Sequence, residues 1–323
     1  MIIESIIIIF FALTIDFTLG DPKNKYHPTA WIGSLIAKLT PSLKNSSDNL
    51  EKLGGIFLIL ISSTIVVSLI TFLDFGINLI TIDYLSILIS IIIGGILLKT
   101  TIAIKGMEKH ALAVVNSLEN DNITSARDHL SKIVKRNTKD LDKNHVLSGV
   151  VESISENTVD GITGPLFYFG LFGLPGAFVY RVINTADSMI GYKTNFFKNI
   201  GWFAANCDKI LNYLPSRLTG FVMIFSAMVL GNDWRKSYKI MIRDGTKTES
   251  PNAGYPMAAI AGALGTRFEK IDHYSLGDGK ITFSKEHVKS AISLMKVTSI
   301  IFCGIVVLPI ILLLSYLGWW IHA

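Results

Sequence analysis

Three carboxylates are spaced four residues apart in the stretch VESISENTVDG, residues 151–161. If this stretch is helical, Glu152, Glu156 and Asp160 share one face, because side chains at i and i+4 lie above one another. Between residues 144 and 180 the chain contains no lysine or arginine that would relieve their repulsion. Carboxylates and phosphates together bind Mg²⁺, so the pattern predicts a magnesium site. A solvated polar face is the alternative.

A second polar group follows directly after an apolar stretch, in the segment YRVINTADSMIGY of residues 180–192. On a helix Arg181, Asn184 and Ser188 share a face, and Asp187 lies beside them. Uncommitted polar residues that directly follow an apolar membrane stretch tend to be functional, so we expect these residues to bind substrate. The alternative is an ordinary polar helix end, with the Arg181 side chain extended to the lipid–water interface.

A third candidate is a turn followed by a helix rich in alanine and glycine, within residues 243–265. The turn covers Ser250–Gly254, and Pro256 is suited to the first position of the helix. Backbone N–H groups at a helix N-terminus bind phosphate, and Arg243 and Lys247 are close in the sequence. The segment therefore predicts a phosphate site. An ordinary capped helix is the alternative.

The fourth candidate is His27, which follows Gly20-Asp21-Pro22 and precedes Pro28. On spacing alone, a single histidine of this kind is usually structural. The chain has no GxxxxGK[ST] phosphate loop, no GxSxG elbow and no HExxH zinc helix. Any nucleotide chemistry would therefore need a site of another kind.

Hydropathy predicts the elements that position these segments. Half of the 323 residues are hydrophobic, 17% are charged and the mean hydropathy is +0.47, a balance that is rare in soluble domains. Three apolar blocks are long enough to cross a bilayer core of about 30 Å: Gly54–Leu73, Gly76–Leu98 and Val297–Ile321. Residues 1–19 form a fourth, shorter candidate. They lack a basic n-region and a cleavage site, which indicates a retained membrane segment rather than a signal peptide.

The distribution of lysine and arginine predicts the orientation. The connection Leu73–Tyr84 has two aspartates and no basic residue, so it should lie outside, whereas the lysine-rich segments Lys23–Lys52 and Lys99–Lys143 should lie in the cytoplasm. Such loops explain the net charge of +5, and no nucleic-acid-binding signature accompanies it. Cys207 and Cys303 are far apart, which argues against a disulfide framework or a zinc site.

Two other apolar stretches are interrupted or short. Gly164–Tyr180 contains three internal glycines and Pro175, and Leu218–Leu230 has only thirteen residues. Basic loops flank both stretches, so they form either a pair of spans or re-entrant segments. We favour re-entrant segments, where protein or water must surround the irregular backbone. Soluble helices are expected between the spans, with caps at Asn122 and Thr138.

Together these features predict an all-α, polytopic integral membrane protein with cytoplasmic helical loops and re-entrant or broken membrane segments. An N-terminal membrane segment and helical hairpin are followed by a cytoplasmic helical segment. Broken membrane segments with polar loops and a C-terminal transmembrane helix complete the order. The bounds of the four parts are 1–98, 99–160, 161–296 and 297–323.

The four polar segments together resemble the CobD/CbiB family of membrane-bound adenosylcobinamide-phosphate synthases. The matching motifs are GDP with HPxxxIG (Gly20–Pro22, His27–Gly33), ESxxENTVDG with PLF (Glu152–Phe167), GxPGAxxYRxxNTxDSMxGY (Gly173–Tyr192) and SPNAGxPxAAxAGALG (Ser250–Gly265). These long motifs occur in the family's order, so the resemblance is specific. Two positions depart from the family pattern. Asn137 and Cys207 stand where acids are expected, the second of them ahead of a PxRL motif at Pro215–Leu218.

The resemblance implies a role in cobalamin biosynthesis. Aminopropanol, as its O-phosphate, would be joined through an amide bond to a propionate carboxylate of adenosylcobyric acid, a corrinoid. ATP with Mg²⁺ would drive the reaction in the cell membrane, with the functional loops facing the cytoplasm. A transporter, whose polar residues should lie within its spans, and a non-catalytic sensor like the AmpE-type relatives are the other classes.

We assign roles to twelve residues on this basis. The candidates for catalysis are Glu152, Glu156, Asp160 and His27, of which the three acids would also bind Mg²⁺. The candidates for substrate binding are Arg181, Asn184, Asp187, Arg243, Lys247, Ser250, Asn252 and Gly254.

Overall fold

The computed structural model describes residues 2–134, 136–270, 273–279 and 281–319. These residues are almost entirely helical, which confirms the predicted all-α class. The helices are α1 (Ile2–Thr18), α2 (Pro28–Ser42), α3 (Asp48–Asn78), α4 (Asp83–Lys99), α5 (Ile104–Glu119), α6 (Ile123–Ser131), α7 (Lys143–Thr158), α8 (Gly164–Ile190), α9 (Trp202–Leu211), α10 (Tyr213–Val229), α11 (Trp234–Asp244), α12 (Gly254–Leu264), α13 (Lys285–Phe302) and α14 (Leu308–Tyr316). Within the described ranges the only strands are β1 (Arg267–Lys270) and β2 (Tyr274–Gly277), which form an antiparallel hairpin.

Four helical stretches of the described chain are long and apolar enough to cross a membrane. They are Asp48–Asn78, Asp83–Glu119, Lys143–Ile190 and Lys285–Tyr316. The first two contain the predicted helical hairpin, and the last contains most of the predicted C-terminal span. The end of that span, from residue 320 on, lies outside the described residues.

The helices fall into two units that interleave along the chain. The first unit comprises the described parts of Met1–Ala103, Gly164–Leu211 and Ile305–Ala323. In this unit α3 packs against α8 and α9, α2 packs against α8, and α1 packs against α4. Its core includes Ile36 and Leu58, neither of which has any exposed surface.

Helix α8 folds back on itself in the first unit. Phe172 has φ −134° and ψ 16°, and Gly173 has φ 62° and ψ −154°, a positive-φ conformation that suits glycine. The rings of Tyr168 and Tyr180 therefore stack with their centroids 5.3 Å apart, whereas a straight helix would separate these positions by about 18 Å. The predicted break in this apolar stretch is confirmed, and α8 is a helical hairpin.

The turn of the α8 hairpin is closely packed. A Cβ atom added at Gly176 would lie 2.6 Å from Cβ of Phe172, closer than real side chains approach, so glycine is required there. The carbonyl oxygen of Leu171 accepts a hydrogen bond from the indole N–H of Trp319 at 3.1 Å. This contact supplies a partner for backbone at the break, where helical hydrogen bonds are lost.

The second unit comprises the described parts of Ile104–Thr163 and Asn212–Gly304. Helix α13 packs against α5, α7 and α10, and helix α12 packs against α7, α10 and α11. The β-hairpin contacts α12 and α11 through β2, and it contacts α7 through β1. Phe268 and Leu276 are opposite each other in the hairpin and are fully buried, which anchors it in this unit.

The first residues of three helices in the second unit can be compared with the predicted caps and first positions. Asn122 caps α6 as predicted, because its side chain accepts a hydrogen bond from a backbone N–H. The predicted cap at Thr138 is wrong: its hydroxyl donates to the carbonyl oxygen of Arg127, and α7 begins after Asp142, whose carboxylate is the cap. Pro256 occupies the third position of α12, not the first, because the helix begins two residues earlier.

Candidate functional site

Glu152 lies in α7 with 7% of its surface exposed. Its Oε1 accepts a hydrogen bond from Ser148 Oγ at 2.7 Å, and its Oε2 accepts one from the Tyr274 hydroxyl at 2.9 Å. The Nη2 atom of Arg136 lies 3.6 Å from Oε1. The carboxylate is therefore held both by its own helix and by strand β2 (this set of four residues is called the Glu152 cluster below).

Tyr274 is a permanent donor in the Glu152 cluster. Burial, followed by the nearby carboxylates of Glu152 and Glu156, raises the pKa of its phenol far above the ordinary value. The hydroxyl therefore stays protonated at physiological pH and donates to Glu152. Glu156, the second acid of the predicted stripe, lies one helical turn after Glu152 in α7.

The acidic stripe is not the unrelieved face that its spacing suggested. Arg136, from outside the stretch without basic residues, lies beside Glu152. Glu152 is buried, whereas Glu156 on the next turn is exposed. The stripe therefore combines one buried carboxylate with another that is exposed, and the expectation that no basic residue lies near it is wrong.

Asp160, the third acid, lies beyond the end of α7. It is half-buried in a π-helical turn, Val159–Thr163, which interrupts the regular four-residue repeat. One oxygen accepts a hydrogen bond from Asn212 Nδ2 at 3.2 Å. Among the residues that the structure describes, no three His, Cys, Asp or Glu side chains group closely enough to hold a metal ion. Magnesium binding by the three acids stays a prediction.

Asn184 joins two charged side chains within the first unit. Its Oδ1 accepts a hydrogen bond from Arg181 Nη1 at 3.2 Å, and its Nδ2 donates to Asp208 Oδ1 at 3.3 Å. Arg181 and Asn184 thus lie on one helical face, as their spacing implies. On the same helix Asp187 is half-buried and Ser188 is exposed. Substrate binding by this group stays a prediction.

The turn Ser250–Gly254 lies in the second unit and is stabilised by hydrogen bonds to the hydroxyl of Ser250. Ser250 Oγ accepts hydrogen bonds from the backbone N–H groups of Asn252 and Ala253, at 3.3 and 3.4 Å. Part of the helix N-terminus that was expected to bind phosphate therefore already has a partner. Asn252 is buried, and Ser250 is half-buried.

Arg217 on α10 holds this turn. Its Nη1 donates to Asn252 Oδ1 at 3.2 Å and to the carbonyl oxygen of Tyr213 at 2.6 Å. The central carbon of the guanidinium lies 3.5 Å from the centroid of the Tyr213 ring and 4.4 Å from that of Tyr255. Contact with two aromatic rings restrains the guanidinium, and Arg217 thereby orients Asn252.

Arg243 and Lys247, which were expected beside a phosphate, both bind Asp244. Nε and Nη2 of Arg243 donate to the two Asp244 oxygens at 2.7 Å, and Lys247 Nζ lies 2.6 Å from Oδ1. Burial opposes ionisation of Asp244, yet these cations and the Gly277 N–H lower its pKa to about 2. Arg243 also donates to Asp278. A phosphate would compete with Asp244 for these cations, and phosphate binding by either of them stays a prediction.

His27 caps a helix in the first unit. Its Nδ1 accepts a hydrogen bond from the backbone N–H of Thr29 at 3.2 Å, and its Nε2 lies 3.7 Å from Asp21. Asp21 also pairs with Lys99, and although burial opposes its ionisation, hydrogen bonds from His27 and Lys99 hold its pKa below the ordinary value. Both ring nitrogens of His27 thus face groups of the protein, Thr29 N–H and Asp21. The role of His27 as a base stays a prediction.

Sequence reasoning assigned no role to five residues that complete these clusters. They are Arg136, Ser148, Asp208, Arg217 and Tyr274. Ser148 stands four residues before Glu152, and that spacing was a usable signal. Arg136, Asp208 and Arg217 belong to motifs compared with the family, but nothing in the sequence joined them to a partner. Tyr274 lies 122 residues from Glu152 in a hairpin that was not predicted.

Comparison with known proteins decides the family. A family model described as CobD/Cbib protein matches residues 9–300. The chain belongs to the CobD/CbiB family. Membership connects it with cobalamin biosynthesis and confirms the resemblance of its polar segments.

Several CobD relatives cover nearly the whole chain. The probable cobalamin biosynthesis protein CobD of Methanothermobacter thermautotrophicus is 40% identical over 295 residues, 91% of this chain and 94% of that protein. The protein of the same name from Methanocaldococcus jannaschii is 38% identical over 319 residues, 98% of each chain. The cobalamin biosynthesis protein CobD of Clostridium perfringens is 34% identical over 314 residues, 94% of this chain and 96% of that protein. No solved structure matches this CobD/CbiB chain.

Proposed function

We propose that this protein is an ATP-dependent acid–amine ligase of cobalamin biosynthesis. It joins aminopropanol O-phosphate to a propionate carboxylate of adenosylcobyric acid and forms adenosylcobinamide phosphate. The observation that carries this proposal is the family match over residues 9–300, with relatives named for cobalamin biosynthesis. The Glu152 cluster supports it, because a fixed carboxylate among hydrogen-bond donors is suited to orienting reacting groups.

The proposed reaction has two steps. In the first, a carboxylate oxygen of the corrinoid attacks the γ-phosphorus of ATP, the bond from that phosphorus to ADP breaks, and an acyl phosphate forms. In the second, the amine nitrogen attacks the acyl carbon, phosphate leaves, and the ammonium proton passes to a base. The sum is amide, ADP and phosphate. Such steps depend chiefly on positioning and on stabilising phosphoryl charge.

The residues of the second unit divide between two proposed tasks. The Glu152 cluster lies beside the exposed Glu156 and would face the phosphoryl groups. The Ser250–Gly254 turn, held by Arg217, would bind a substrate through Ser250 and the buried Asn252. In the first unit, Arg181 and Asn184 would contact a substrate carboxylate or phosphate, and Asp187 would accept a hydrogen bond from a donor group of a substrate.

Two of the three acids of the stripe are suited to holding Mg²⁺. Mg²⁺ usually takes only one or two protein carboxylates in company with substrate phosphates, so the lack of a three-residue cluster in the described chain does not conflict with it. The exposed Glu156 and the half-buried Asp160 would hold the ion, and Glu152 would act through its hydrogen bonds. When bound, the ion would neutralise phosphate charge.

The proposed location is the cell membrane, with the functional loops in the cytoplasm. The lysine-rich segments and the acidic connection between α3 and α4 support this orientation. In a variant with Cys207 and Cys303 replaced by serine, a cysteine at Asn78 should react with an impermeant thiol reagent from outside. Cysteines at Asn120 or Lys247 should not, and external labelling at Lys247 would contradict the orientation.

Purified protein in detergent micelles tests the activity. Adenosylcobyric acid, Mg-ATP and aminopropanol O-phosphate should give adenosylcobinamide phosphate and an equal amount of ADP, measured by mass spectrometry. Free aminopropanol in a parallel reaction tests whether the phosphate is needed. A transporter would bind the corrinoid without forming an amide, and a sensor would consume no ATP.

A further inference from the structure

Arg136 is an incompletely paired cation beside Glu152. Its Nη2 donates to the carbonyl oxygen of His145 at 3.3 Å, and the same atom lies 3.6 Å from Glu152 Oε1, beyond normal hydrogen-bond length. Its Nε is buried and has no hydrogen-bond partner in the described chain. The side chain as a whole keeps 17% of its surface exposed, so it is not sealed off from solvent.

Helix α7 makes room for this guanidinium at Gly149. A Cβ atom added there would collide with Nη2 of Arg136 and would lie 3.4 Å from its central carbon. A glycine in the middle of a helix is unfavourable by about 0.5–1 kcal/mol relative to alanine. Gly149 occurs in α7 despite this unfavourable free energy, and the guanidinium of Arg136 occupies the space where a side chain at position 149 would lie.

Glu152 does not depend on Arg136 for its hydrogen bonds. Ser148 and Tyr274 already donate to its two oxygens, and both donors are neutral hydroxyls. A buried guanidinium N–H without an acceptor is unfavourable, and an anion that enters beside Arg136 would supply that acceptor. The planar fork of arginine is suited to a phosphoryl group in particular.

We propose that Arg136 binds a phosphoryl group of a substrate in the Glu152 cluster. Arg243 and Lys247 are less suited to this task, because both cations already pair with Asp244, whose side chain has no exposed surface. The identity of the ligand rests on the proposed function, in which both ATP and the amine carry phosphate. The site itself requires only an accessible phosphoryl group.

Binding without turnover tests the site. Isothermal titration of the purified protein uses three probes: a non-hydrolysable ATP analogue, aminopropanol O-phosphate and free aminopropanol. Arg136→Gln should weaken binding of one phosphorylated probe about ten- to a hundredfold, and Arg136→Lys should weaken it less because the charge remains. The probe that loses affinity identifies the source of the phosphoryl group. Arg235→Gln, at an exposed arginine of the same unit, is the control and should leave that affinity unchanged.

A second measurement uses the wild-type protein, so its result does not depend on whether the Arg136 variants fold. Phenylglyoxal modifies accessible arginines, and peptide mass spectrometry reports the modification at Arg136. The phosphorylated probe should protect Arg136, and free aminopropanol should not. Equal modification with and without either phosphorylated probe would overturn the proposal, as would unchanged affinity in a folded Arg136→Gln protein.

The experiments can reject the phosphoryl site at Arg136 and the proposed ligase activity independently of each other. Phosphate-dependent protection at Arg136 in a protein that forms no amide would retain the site and reject the ligase. Normal amide synthesis with unchanged phosphate affinity in Arg136→Gln would retain the ligase and reject the site. If Arg136 serves only to support Glu152, its variants should lower the thermal midpoint and leave phosphate affinity unchanged.

Discussion

The hydroxyl of Tyr274 donates a hydrogen bond to Oε2 of Glu152 across 2.9 Å. This bond ties strand β2 to helix α7 and places a neutral donor beside a buried carboxylate. Since the pKa of Tyr274 is raised, mainly by burial, the donor is present at every pH at which the protein would work. Orientation of Glu152 therefore depends on a hairpin that is remote in the sequence.

Tyr274→Phe should lower kcat for amide formation while the protein remains folded. The change removes a hydrogen bond to a charged group, worth about 1.5–3 kcal/mol, so the expected loss is about ten- to a hundredfold. KM for the substrates should change less, because the phenyl ring keeps its packing. Tyr238→Phe, at an exposed tyrosine of the same unit, is the control. Equal kcat values for Tyr274→Phe and wild type would contradict the role of this bond.

Glu156→Gln tests the proposed metal ligand. Glu156 is exposed, so the variant should fold normally. Loss of a ligand should raise the Mg²⁺ concentration for half-maximal activity at least about tenfold. Glu286→Gln, at an exposed glutamate of α13, should leave the requirement unchanged. If the activity of Glu156→Gln matches that of wild type at every Mg²⁺ concentration, Glu156 is not a metal ligand and belongs only to a solvated polar face.

Asp244→Asn should destabilise the second unit at neutral pH. Asp244 has a folded pKa of about 2 against an ordinary value of 3.8. A lowered pKa means that the carboxylate stabilises the fold above about pH 4 and that this contribution is lost as the pH falls toward 2. The thermal midpoint of wild type should therefore approach that of the variant in this range.

The matched control for Asp244 is Asp128→Asn, because Asp128 forms an exposed pair with Lys132. Such pairs contribute little to stability, so this variant should have a midpoint close to wild type at pH 7. A difference between wild type and Asp244→Asn that stays constant from pH 7 to pH 3 would show that the ionised form of Asp244 has no special role.

Arg217→Lys should loosen the Ser250–Gly254 turn. Lysine keeps the charge but loses the planar guanidinium that contacts two aromatic rings and donates to Asn252. A loss of about 1–2 kcal/mol should speed hydrogen exchange in peptides that cover the turn about five- to thirtyfold. Arg235→Lys, at an arginine near a single indole ring, should leave that exchange unchanged. Unaltered exchange in Arg217→Lys would reject Arg217 as the residue that holds the turn.

Hydropathy was sufficient to predict three of the four long apolar stretches and the break in α8, whereas Lys143–Ile190 was not predicted as a span. In a bilayer, a charge-free block such as Gly54–Leu73 must satisfy its backbone internally, so length and hydropathy decide its structure. The break depended on glycine and proline content, and Gly173 indeed adopts a positive φ that other residues avoid. These features depend on the local sequence, which is why they were predictable.

The partners within the candidate sites depend on distant parts of the chain. Glu152 and Glu156 look equivalent in the sequence, but contacts with Arg136 and Tyr274 make one a buried, hydrogen-bonded acid. The short β-hairpin has four residues per strand, too few for a clear alternation, and it was not predicted. Only the folded chain shows that Arg243 is engaged by its own neighbour, Asp244.

An isotope measurement tests the proposed ligase most directly. Adenosylcobyric acid labelled with ¹⁸O in the reacting carboxylate is incubated with purified protein, aminopropanol O-phosphate and Mg-ATP. Transfer through an acyl phosphate should place one ¹⁸O atom in inorganic phosphate for each amide formed, with an equal amount of ADP. Absence of the amide product, or ¹⁸O in AMP and none in inorganic phosphate, would contradict the account.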